Sequence, residues 1–198
     1  KKPFYGINYG SIGFLMNNES KIDLVKLINN AQNISVKPLS LKARNKNGKI
    51  FESIAFNEVS LMRQTHQAAK IKIEINNIER IKELICDGVL VSTAVGSTAY
   101  NLSAHGSIIP LESKLLALTP ISAFRPRRWK GALLPENTKI KLTVKENSDR
   151  PVSVTADHKE FRNILKAEIS CSKKLKLNLL FDKKHSIGEK ILKEQFTE

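Results

Sequence analysis

The chain has 198 residues, and its 33 Lys and Arg residues against 19 Asp and Glu residues give a formal net charge of +14 at pH 7. Hydrophobic residues make up 41% and charged residues 26%, which is typical of a globular protein and excludes an intrinsically disordered chain. No run of about 18 uncharged apolar residues occurs, so the sequence contains no candidate membrane-spanning helix and we expect no membrane partner.

The first thirty residues predict a broken strand followed by a helix. Residues 4–15 are an apolar strand interrupted by three glycines. Residues 20–28 predict a helix, because Ser20 and Asp23 form an N-terminal capping pattern and three apolar residues share one face: Ile22, Val25 and Ile28. Since the chain starts at Lys1 with neither a start methionine nor the apolar core of a signal peptide, we expect a longer protein of which this is the middle and end.

Beyond residue 30 the hydrophobic period changes from helical to two. Apolar and polar residues alternate in five segments, which are 39–43, 71–75, 140–144, 152–156 and 175–179. Such alternation is typical of half-buried strands in antiparallel sheets. Turn residues at 47–48, 147–149 and 157–158 separate these strands. The sequence therefore predicts a mainly β domain, built from two packed sheets.

The last residues predict a closing helix. Ser186 and Glu189 form a capping box, and an apolar stripe follows from Ile187, Ile191 and Leu192.

The segment 87–103 is the most informative part of the sequence. A buried apolar strand at 89–91 leads into a glycine-containing loop and then into a helix whose predicted cap is Ser97 or Thr98. Free backbone N–H groups at a helix start suit an anion or the edge of a nucleobase. The spacing is neither a Walker A loop nor a nucleophile elbow, and an ordinary strand–turn–helix is the alternative interpretation.

Polar pairs follow two of the predicted strands. Asn57 and Glu58 follow the segment 54–56, and Asp157 and His158 follow the strand at 152–156. An amide beside a carboxylate can bind ribose hydroxyls or an exocyclic amine. Taken alone, each pair is more often a solvent-facing polar group or a turn.

The positive charge has two interpretations. A polyanionic ligand, such as nucleic acid or a phosphorylated metabolite, is one. The other is a compositional bias toward Lys, Asn and Ile, and we favour it because only residues 125–130 form a dense basic patch. Aromatic residues are 6% of the chain and scattered, which argues against a nucleic-acid-binding β domain.

Cysteine and histidine residues predict no metal centre. Cys86 and Cys171 lie far apart without a CxxC motif, which favours a reduced, cytoplasmic protein over one with a single disulfide. The four histidines are scattered and form no HExxH motif, so we predict no zinc site.

Taken together in chain order, these segments resemble the NAD kinases. The resemblance rests on Gly-Ile-Asn at 6–8, Gly-Ser-Ile-Gly-Phe-Leu at 10–15, Asn-Glu-Val at 57–59, Asp-Gly at 87–88, Ser-Thr at 92–93 and Gly-Ser-Thr-Ala-Tyr-Asn-Leu-Ser-Ala at 96–104. It continues with Thr-Pro-Ile-Ser at 119–122, Leu-Pro at 134–135, Asp157 and the closing segment 180–196. The match covers essentially the whole chain, and the Gly-Ser-Thr-Ala-Tyr block is highly specific.

The resemblance implies transfer of the terminal phosphate of ATP to the 2′-hydroxyl of the adenosine ribose of NAD, which gives NADP. Mg²⁺ or another divalent cation would offset the phosphate charges, and orientation would supply most of the catalysis. The NAD-binding residues that it implies are Asn57, Glu58, Asp87, Val95, Thr98, Ala99, Tyr100, Asn101, Leu102, Ser103, Ser122 and Asp157.

The resemblance also implies a role for these groups. Asn57 and Glu58 would hold the nicotinamide-side ribose or amide, and Asp87 would lie near the nicotinamide end. Residues 98–103 would surround the adenine and ribose, with Tyr100 stacking or hydrogen-bonding. Ser122 would line the adenine pocket. Asp157 would contact the second nucleotide moiety, partly across a subunit boundary.

Three departures from the family pattern are visible. The Gly-Gly-Asp-Gly motif, whose Asp is the family's presumed base, lies upstream of Gly6 in the family and is absent here, so no catalytic residue is assigned. His158 stands where many members have Gly. Ala94-Val95 replaces the usual Pro-Thr or Pro-Ser before Gly96, which removes one hydroxyl contact.

The resemblance therefore predicts an α+β, mainly β fold. We expect residues 1–30 to end an α/β Rossmann-like domain, residues 31–182 to form a β-sandwich-like dinucleotide-binding domain, and residues 183–198 to form a helix returning to the α/β domain. A cytoplasmic homo-oligomer, a tetramer or dimer, is expected. The alternatives are a lipid kinase of the same superfamily and a basic nucleic-acid-binding β domain.

Overall fold

The computed structural model describes residues 2–10, 13 and 16–182, and two six-stranded antiparallel sheets make up most of that part of the chain. In chain order its elements are β1 (Ile7–Asn8), β2 (Asn17–Asn18), α1 (Leu24–Asn30), β3 (Gln32–Val36), β4 (Leu39–Asn45), β5 (Ile50–Ala55), β6 (Glu58–Arg63), β7 (Ala69–Ile75), β8 (Ile78–Cys86), β9 (Gly88–Ser92), a 3-10 helix (Val95–Thr98), α2 (Tyr100–Ser103), β10 (Leu115–Ile121), β11 (Ala132–Pro135), β12 (Ile140–Lys145), β13 (Val152–Ala156), β14 (Lys159–Phe161), β15 (Ile164–Cys171) and β16 (Leu177–Phe181).

Sheet I has the strand order β11-β10-β9-β6-β13-β14, and sheet II has the order β5-β4-β15-β12-β7-β8. Every neighbouring pair within the two sheets is antiparallel. The predicted two-sheet, mainly β fold is therefore confirmed.

Alternating apolar residues from both sheets form one core. Leu41 and Ile71 of sheet II are buried together with Leu61 and Val91 of sheet I, while the residues between them along each strand are polar or face the outer surface. This is the arrangement in which two sheets bury one face each against the other. A second, smaller cluster contains Val36, Val95, Leu179 and Phe181.

Four of the five predicted alternating strands occur where the sequence places them. The fifth prediction, over 175–179, is shifted: β16 begins at Leu177 and Leu175 is 41% exposed. β16 pairs with β3 in a separate two-stranded sheet, because its apolar residues belong to the smaller cluster rather than to the main core. The turn predicted at 47–48 joins β4 to β5, with Gly48 in the left-handed region at φ 82°.

The N-terminal prediction is only partly confirmed. Instead of one strand over 4–15, the described residues contain the two-residue strand β1, which pairs in parallel with β2. A helix is present, but α1 spans Leu24–Asn30 instead of 20–28, because the Asp23 side chain caps it by accepting a hydrogen bond from the Val25 N–H at 3.0 Å. Its predicted apolar face is exposed, however, since Ile22, Val25 and Ile28 all lie at the surface.

The predicted closing helix at 183–198 lies outside the described residues, and the domain boundaries stay a prediction. Within the described part of the chain, no helix has the length and apolar character needed to cross a membrane.

Replacing Leu142 by Ala should lower the free energy of unfolding by about 2–5 kcal/mol, because Leu142 is fully buried between the sheets and the substitution leaves a cavity. Equilibrium denaturation in urea measures this change. Leu133→Ala is the control, since Leu133 is 48% exposed on edge strand β11, and it should cost less than about 1 kcal/mol. Equal losses in the two variants would contradict the assigned core.

Candidate functional site

The predicted site residues gather around β9 in the middle of sheet I. All five residues of β9 are buried, and its neighbours are β10 on one side and β6 on the other. In register, Ser92 at the end of β9 lies opposite Glu58, whereas Gly88 at its start lies opposite Met62 and Ile121. The site therefore has a Glu58 end and an Asp87 end, separated by the length of β9, about 13 Å.

The segment after β9 crosses the outer surface of sheet I. It forms the 3-10 helix and then the four-residue helix α2, and no side chain caps either helix. The prediction of a helix capped by Ser97 or Thr98 was therefore wrong. The Ser97 hydroxyl is occupied elsewhere, because it donates to the carbonyl oxygen of Ala94 at 2.8 Å and accepts from the Ile109 N–H at 3.0 Å.

Asn101 holds this segment to the sheet. Its side chain is fully buried and donates to the carbonyl oxygens of Ser97 and Ser107, both at 3.0 Å, and accepts from the Thr119 hydroxyl at 2.7 Å. A buried amide with its polar atoms satisfied inside the protein stabilises the fold. The Asn101 side chain, which the resemblance implied as an NAD ligand, thus forms its hydrogen bonds within the protein.

Gly96 lets the same segment approach residue 57 closely. A Cβ atom on Gly96 would lie 2.2 Å from the backbone oxygen of Asn57. The Thr93 hydroxyl adds to this contact, since it donates to the Phe56 carbonyl oxygen at 2.6 Å and accepts from the Gly96 N–H at 3.1 Å. The loop between β5 and β6 is therefore packed directly against the segment after β9.

Asp157 contacts the same loop from the other side. It lies in the tight turn between β13 and β14, in the left-handed region at φ 50°. Its carboxylate accepts hydrogen bonds from the backbone N–H groups of Phe56 at 2.7 Å, Asn57 at 3.0 Å and Glu58 at 3.3 Å. The structure thus brings Asn57, Glu58 and Asp157 together, although Asp157 is 99 residues beyond Glu58.

The Glu58 side chain lies on the face of sheet I opposite the core, because its neighbour Val59 belongs to the core. Among the described residues the Asn57 side chain forms no hydrogen bond, and the buried Oε2 of Glu58 has no partner. Burial, and then the negative charge of Asp157, raise the pKa of Glu58 to about 7. A carboxyl group with such a pKa exchanges its proton near neutral pH, so it can accept or donate a hydrogen bond there.

Asp87 and Tyr100 form the other end. The Asp87 carboxylate pairs with the Arg63 guanidinium at 2.5 Å, and the Tyr100 hydroxyl lies 3.6 Å from the sulfur of Met62. Burial raises the pKa of Tyr100, and the charges of Glu58 and Asp87 raise it further. Because both carboxylates act on it, Tyr100 lies between the two ends of the site. It is 37% exposed, so part of the residue contacts solvent.

The remaining predicted residues divide between the site and its surroundings. Thr98, Ala99, Leu102 and Ser103 are partly or fully exposed along the segment that carries Tyr100. The Val95 side chain instead packs into the smaller hydrophobic cluster. Ser122 follows the residue that pairs with Gly88, so it belongs to the Asp87 end.

Sequence reasoning missed Arg63 and Thr93 as side chains of the site. Arg63 ends β6 with an ordinary strand pattern, and only the pairing of β6 with β9 places it beside Asp87. Thr93 follows β9 directly, and its position at the end of a buried strand is the signal that was available.

A second surface cleft, of about 340 Å³, lies on the outer face of sheet II. Its charged lining includes Lys42, Lys141, Lys166 and Glu168. Lys141 is paired with Glu74 at 2.6 Å and Lys166 with Glu168. Lys42 is paired with Glu52 at 3.8 Å, so each of these three lysines already has a carboxylate partner.

Comparison with known proteins identifies the family. Residues 56–174 match the model of the ATP-NAD kinase C-terminal domain. The chain is also 50% identical over 194 residues to the NAD kinase of Rickettsia canadensis, covering 98% of this chain and 76% of that protein. The chain belongs to the NAD kinase family. The NAD kinase of Rickettsia typhi is similar too, at 49% identity over 199 residues, with 77% of that protein covered.

Solved structures of the family share the fold. A yeast NADH kinase complexed with NADH aligns with a TM-score of 0.86 and 20% identity, over 99% of this chain and 59% of that one. An NAD kinase from Archaeoglobus fulgidus in complex with ATP aligns with a TM-score of 0.75 and 22% identity, over 97% of this chain and 73% of that one. The match to the family model and the 50% identity to an NAD kinase favour the NAD kinase interpretation over the lipid kinase and nucleic-acid alternatives.

The raised pKa of Glu58 predicts a pH-dependent stability. Because the folded pKa of about 7 exceeds the reference value of 4.5, the stability that Glu58 contributes is complete below pH 4.5 and is lost as the pH rises through 7. Glu58→Gln should therefore be more stable than the original chain at pH 8 and not at pH 4. The full shift corresponds to about 3 kcal/mol, and since the side chain is only partly buried we expect about 1–2 kcal/mol.

Urea denaturation at both pH values measures this difference. Glu112→Gln is the matched control, because Glu112 is exposed, and its stability should follow the original chain at both pH values. A Glu58→Gln variant with no gain at pH 8 would show that the carboxyl group is not desolvated.

Gly96→Ala should lower the free energy of unfolding by about 1–3 kcal/mol, because the added methyl group meets the Asn57 backbone and the loop must shift. Thermal unfolding measures the loss. The control is Gly10→Ala, where the nearest atom to the new Cβ lies at an ordinary 3.6 Å and little change is expected. If both variants unfold at the original temperature, the close approach of residues 57 and 96 is refuted.

Proposed function

We propose that this chain is the dinucleotide-binding part of an NAD kinase, which transfers the terminal phosphate of ATP to the 2′-hydroxyl of the adenosine ribose of NAD and so forms NADP. The observation that carries the proposal is the loop at 56–58. Its backbone is bonded within the protein, whereas the Asn57 side chain forms no hydrogen bond among the described residues and the Glu58 carboxyl group, beside Tyr100, has a buried oxygen without a partner. The 50% identity to the NAD kinase of Rickettsia canadensis supports a dinucleotide as the ligand of that surface.

The chemistry of the surface suits a dinucleotide. The Glu58 carboxylate can accept hydrogen bonds from ribose hydroxyls, and the Asn57 amide can both donate and accept. The exposed ring of Tyr100 offers a face on which a base can stack. Asp87, held by Arg63, provides a second acceptor at the far end of β9. These groups bind and orient the substrate, and the catalytic base is not assigned to any of them.

The divalent cation enters this proposal as a partner of ATP. No group of three or more His, Cys, Asp or Glu side chains that could hold a metal ion occurs among the described residues. Mg²⁺ is commonly bound through substrate phosphates and only one or two carboxylates. We therefore assign Mg²⁺ to the substrate MgATP and derive no step through a resident metal ion.

The assembly and location follow from the family resemblance alone. We propose a cytoplasmic homo-oligomer, a tetramer or dimer, in which a neighbouring subunit completes the site. Sedimentation of the full-length protein with and without NADP tests the assembly, and a monomer at saturating ligand would overturn it.

Tyr100→Ala should weaken NAD binding by about 10-fold or more, because one base–aromatic contact contributes about 1–3 kcal/mol. Tyr100→Phe keeps the ring and should bind NAD nearly as well as the original chain. Asp87→Asn should also weaken binding, since it removes the acceptor charge at the far end. Calorimetric titration with NAD and NADP measures all three affinities.

The control is Leu133→Ala, on the exposed edge strand β11, which should leave the affinity unchanged. Unchanged affinity in both Tyr100→Ala and Asp87→Asn would refute the site. NADP formation from NAD, ATP and Mg²⁺ by the full-length protein tests the reaction itself, and its absence would refute the kinase activity.

A further inference from the structure

We propose that Asp157 is a positioning residue of this site, whose carboxylate holds the backbone of residues 56–58 so that Asn57 and Glu58 face the dinucleotide. The inference rests on the proposed function for the identity of the ligand. It differs from the role implied by the family resemblance, in which Asp157 itself contacts the second nucleotide moiety.

Both oxygens of the Asp157 carboxylate are engaged by the loop. Its Oδ2 accepts from the Phe56 N–H at 2.7 Å, and its Oδ1 accepts from the N–H groups of Asn57 at 3.0 Å and Glu58 at 3.3 Å. The Asp157 N–H returns a bond to the Glu58 carbonyl oxygen at 3.2 Å. Four bonds thus join one turn residue to three consecutive residues of the loop.

Thr93 holds the opposite side of the loop as well. The N–H of Thr93 donates to the carbonyl oxygen of Asn57 at 3.0 Å, and its hydroxyl donates to that of Phe56 at 2.6 Å. Thr93 therefore binds the carbonyl oxygens of the loop, whereas Asp157 binds its N–H groups. These two sets of hydrogen bonds fix the position of the loop backbone. The backbone position in turn fixes the direction of the loop side chains.

A carboxylate is the group that this geometry requires. Two acceptor oxygens face three N–H donors, so an Asn in the same place would present one NH₂ donor to a backbone donor and lose at least one bond. An unmade bond of a buried donor costs more than the bond itself contributes. Asp157→Asn is therefore a nearly isosteric change that releases part of the loop.

The charge of Asp157 gives a second, independent signature. Two titratable groups interact electrostatically with Glu58. They are Asp157, in the β13–β14 turn, and Tyr100, in α2. The residue opposite Glu58 on β9 is the uncharged Ser92. Removing the charge of Asp157 should therefore move the titration of Glu58 to lower pH, whereas an uncharged structural contact would not.

The test compares the full-length protein with its Asp157→Asn variant. Amide hydrogen exchange of the ligand-free proteins should show faster exchange at residues 56–58 in the variant, by about 10-fold or more. Asp149→Asn is the matched control, because Asp149 lies in the β12–β13 turn and its side chain forms no hydrogen bond among the described residues. It should leave exchange at residues 56–58 unchanged. Unchanged exchange in Asp157→Asn would overturn the proposal.

NAD affinity then separates positioning from direct contact. Asp157→Asn should weaken NAD binding by about 10-fold alone, but by less than about twofold in a background that already carries Asn57→Ala and Glu58→Gln, because its effect passes through those side chains. The same loss in both backgrounds would identify Asp157 as a direct ligand contact and overturn the proposal. The pH midpoint of NAD binding should fall in Asp157→Asn, and an unmoved midpoint would also contradict it.

Two further outcomes are distinguishable. If the original protein does not bind NAD, the proposed function fails, while the exchange measurement still decides whether Asp157 holds the loop. If Asp157→Asn does not fold, Asp157→Glu replaces it, since a carboxylate displaced by one methylene keeps the charge. We expect this variant to lose amide protection without a shift of the pH midpoint, and full protection would overturn the proposal.

Discussion

The register of β6 between β9 and β13 determines where every residue of the site lies. Glu58 pairs with Ser92 on one side, and Val59 pairs with Ala156 on the other, so the loop before β6 meets both the segment after β9 and the turn after β13. Val59 and Leu61 point into the core between the sheets. A slip of one residue would expose them and bury their polar neighbours, so burial of the core keeps the site assembled.

The electrostatics of the site contrast with those of the whole chain. In a protein with a net charge of +14, carboxylates lie at both ends of the proposed ligand surface: Glu58 lies close to Asp157 at one end, and Asp87 is paired with Arg63 at the other. The basic patch at 125–130 runs beside the Asp87 end, since the Arg125 carbonyl oxygen accepts from the Ile85 N–H at 2.8 Å. On the outer face of sheet II, Lys72 and Lys141 both pair with Glu74, at 3.0 Å and 2.6 Å.

Much of the fold could be predicted because burial between two sheets imposes a period of two on each strand. Strands such as β4 and β12 show that period clearly, and the structure confirms them. The structure of the short segments after β9 was harder to predict from the sequence. The pattern predicted a helix capped by Ser97 or Thr98, whereas residues Val95–Thr98 form a 3-10 helix and α2 begins at Tyr100, in a segment held by the hydrogen bonds of Asn101 and the close packing at Gly96. Local propensity is weak against such contacts.

The sequence by itself determined the two-sheet architecture and the family, and through the family resemblance it predicted that Asn57, Glu58, Asp87, Tyr100 and Asp157 belong to one site. These follow from periodicity and from motifs, which are local properties of the chain. Only the tertiary structure decided which of these residues form hydrogen bonds within the protein and with which partners. A hydrogen bond between residues about 100 positions apart depends on strand pairing and has no local pattern, so the contacts of Asp157 with the 56–58 loop and of Arg63 with Asp87 became visible only once the sheets were formed.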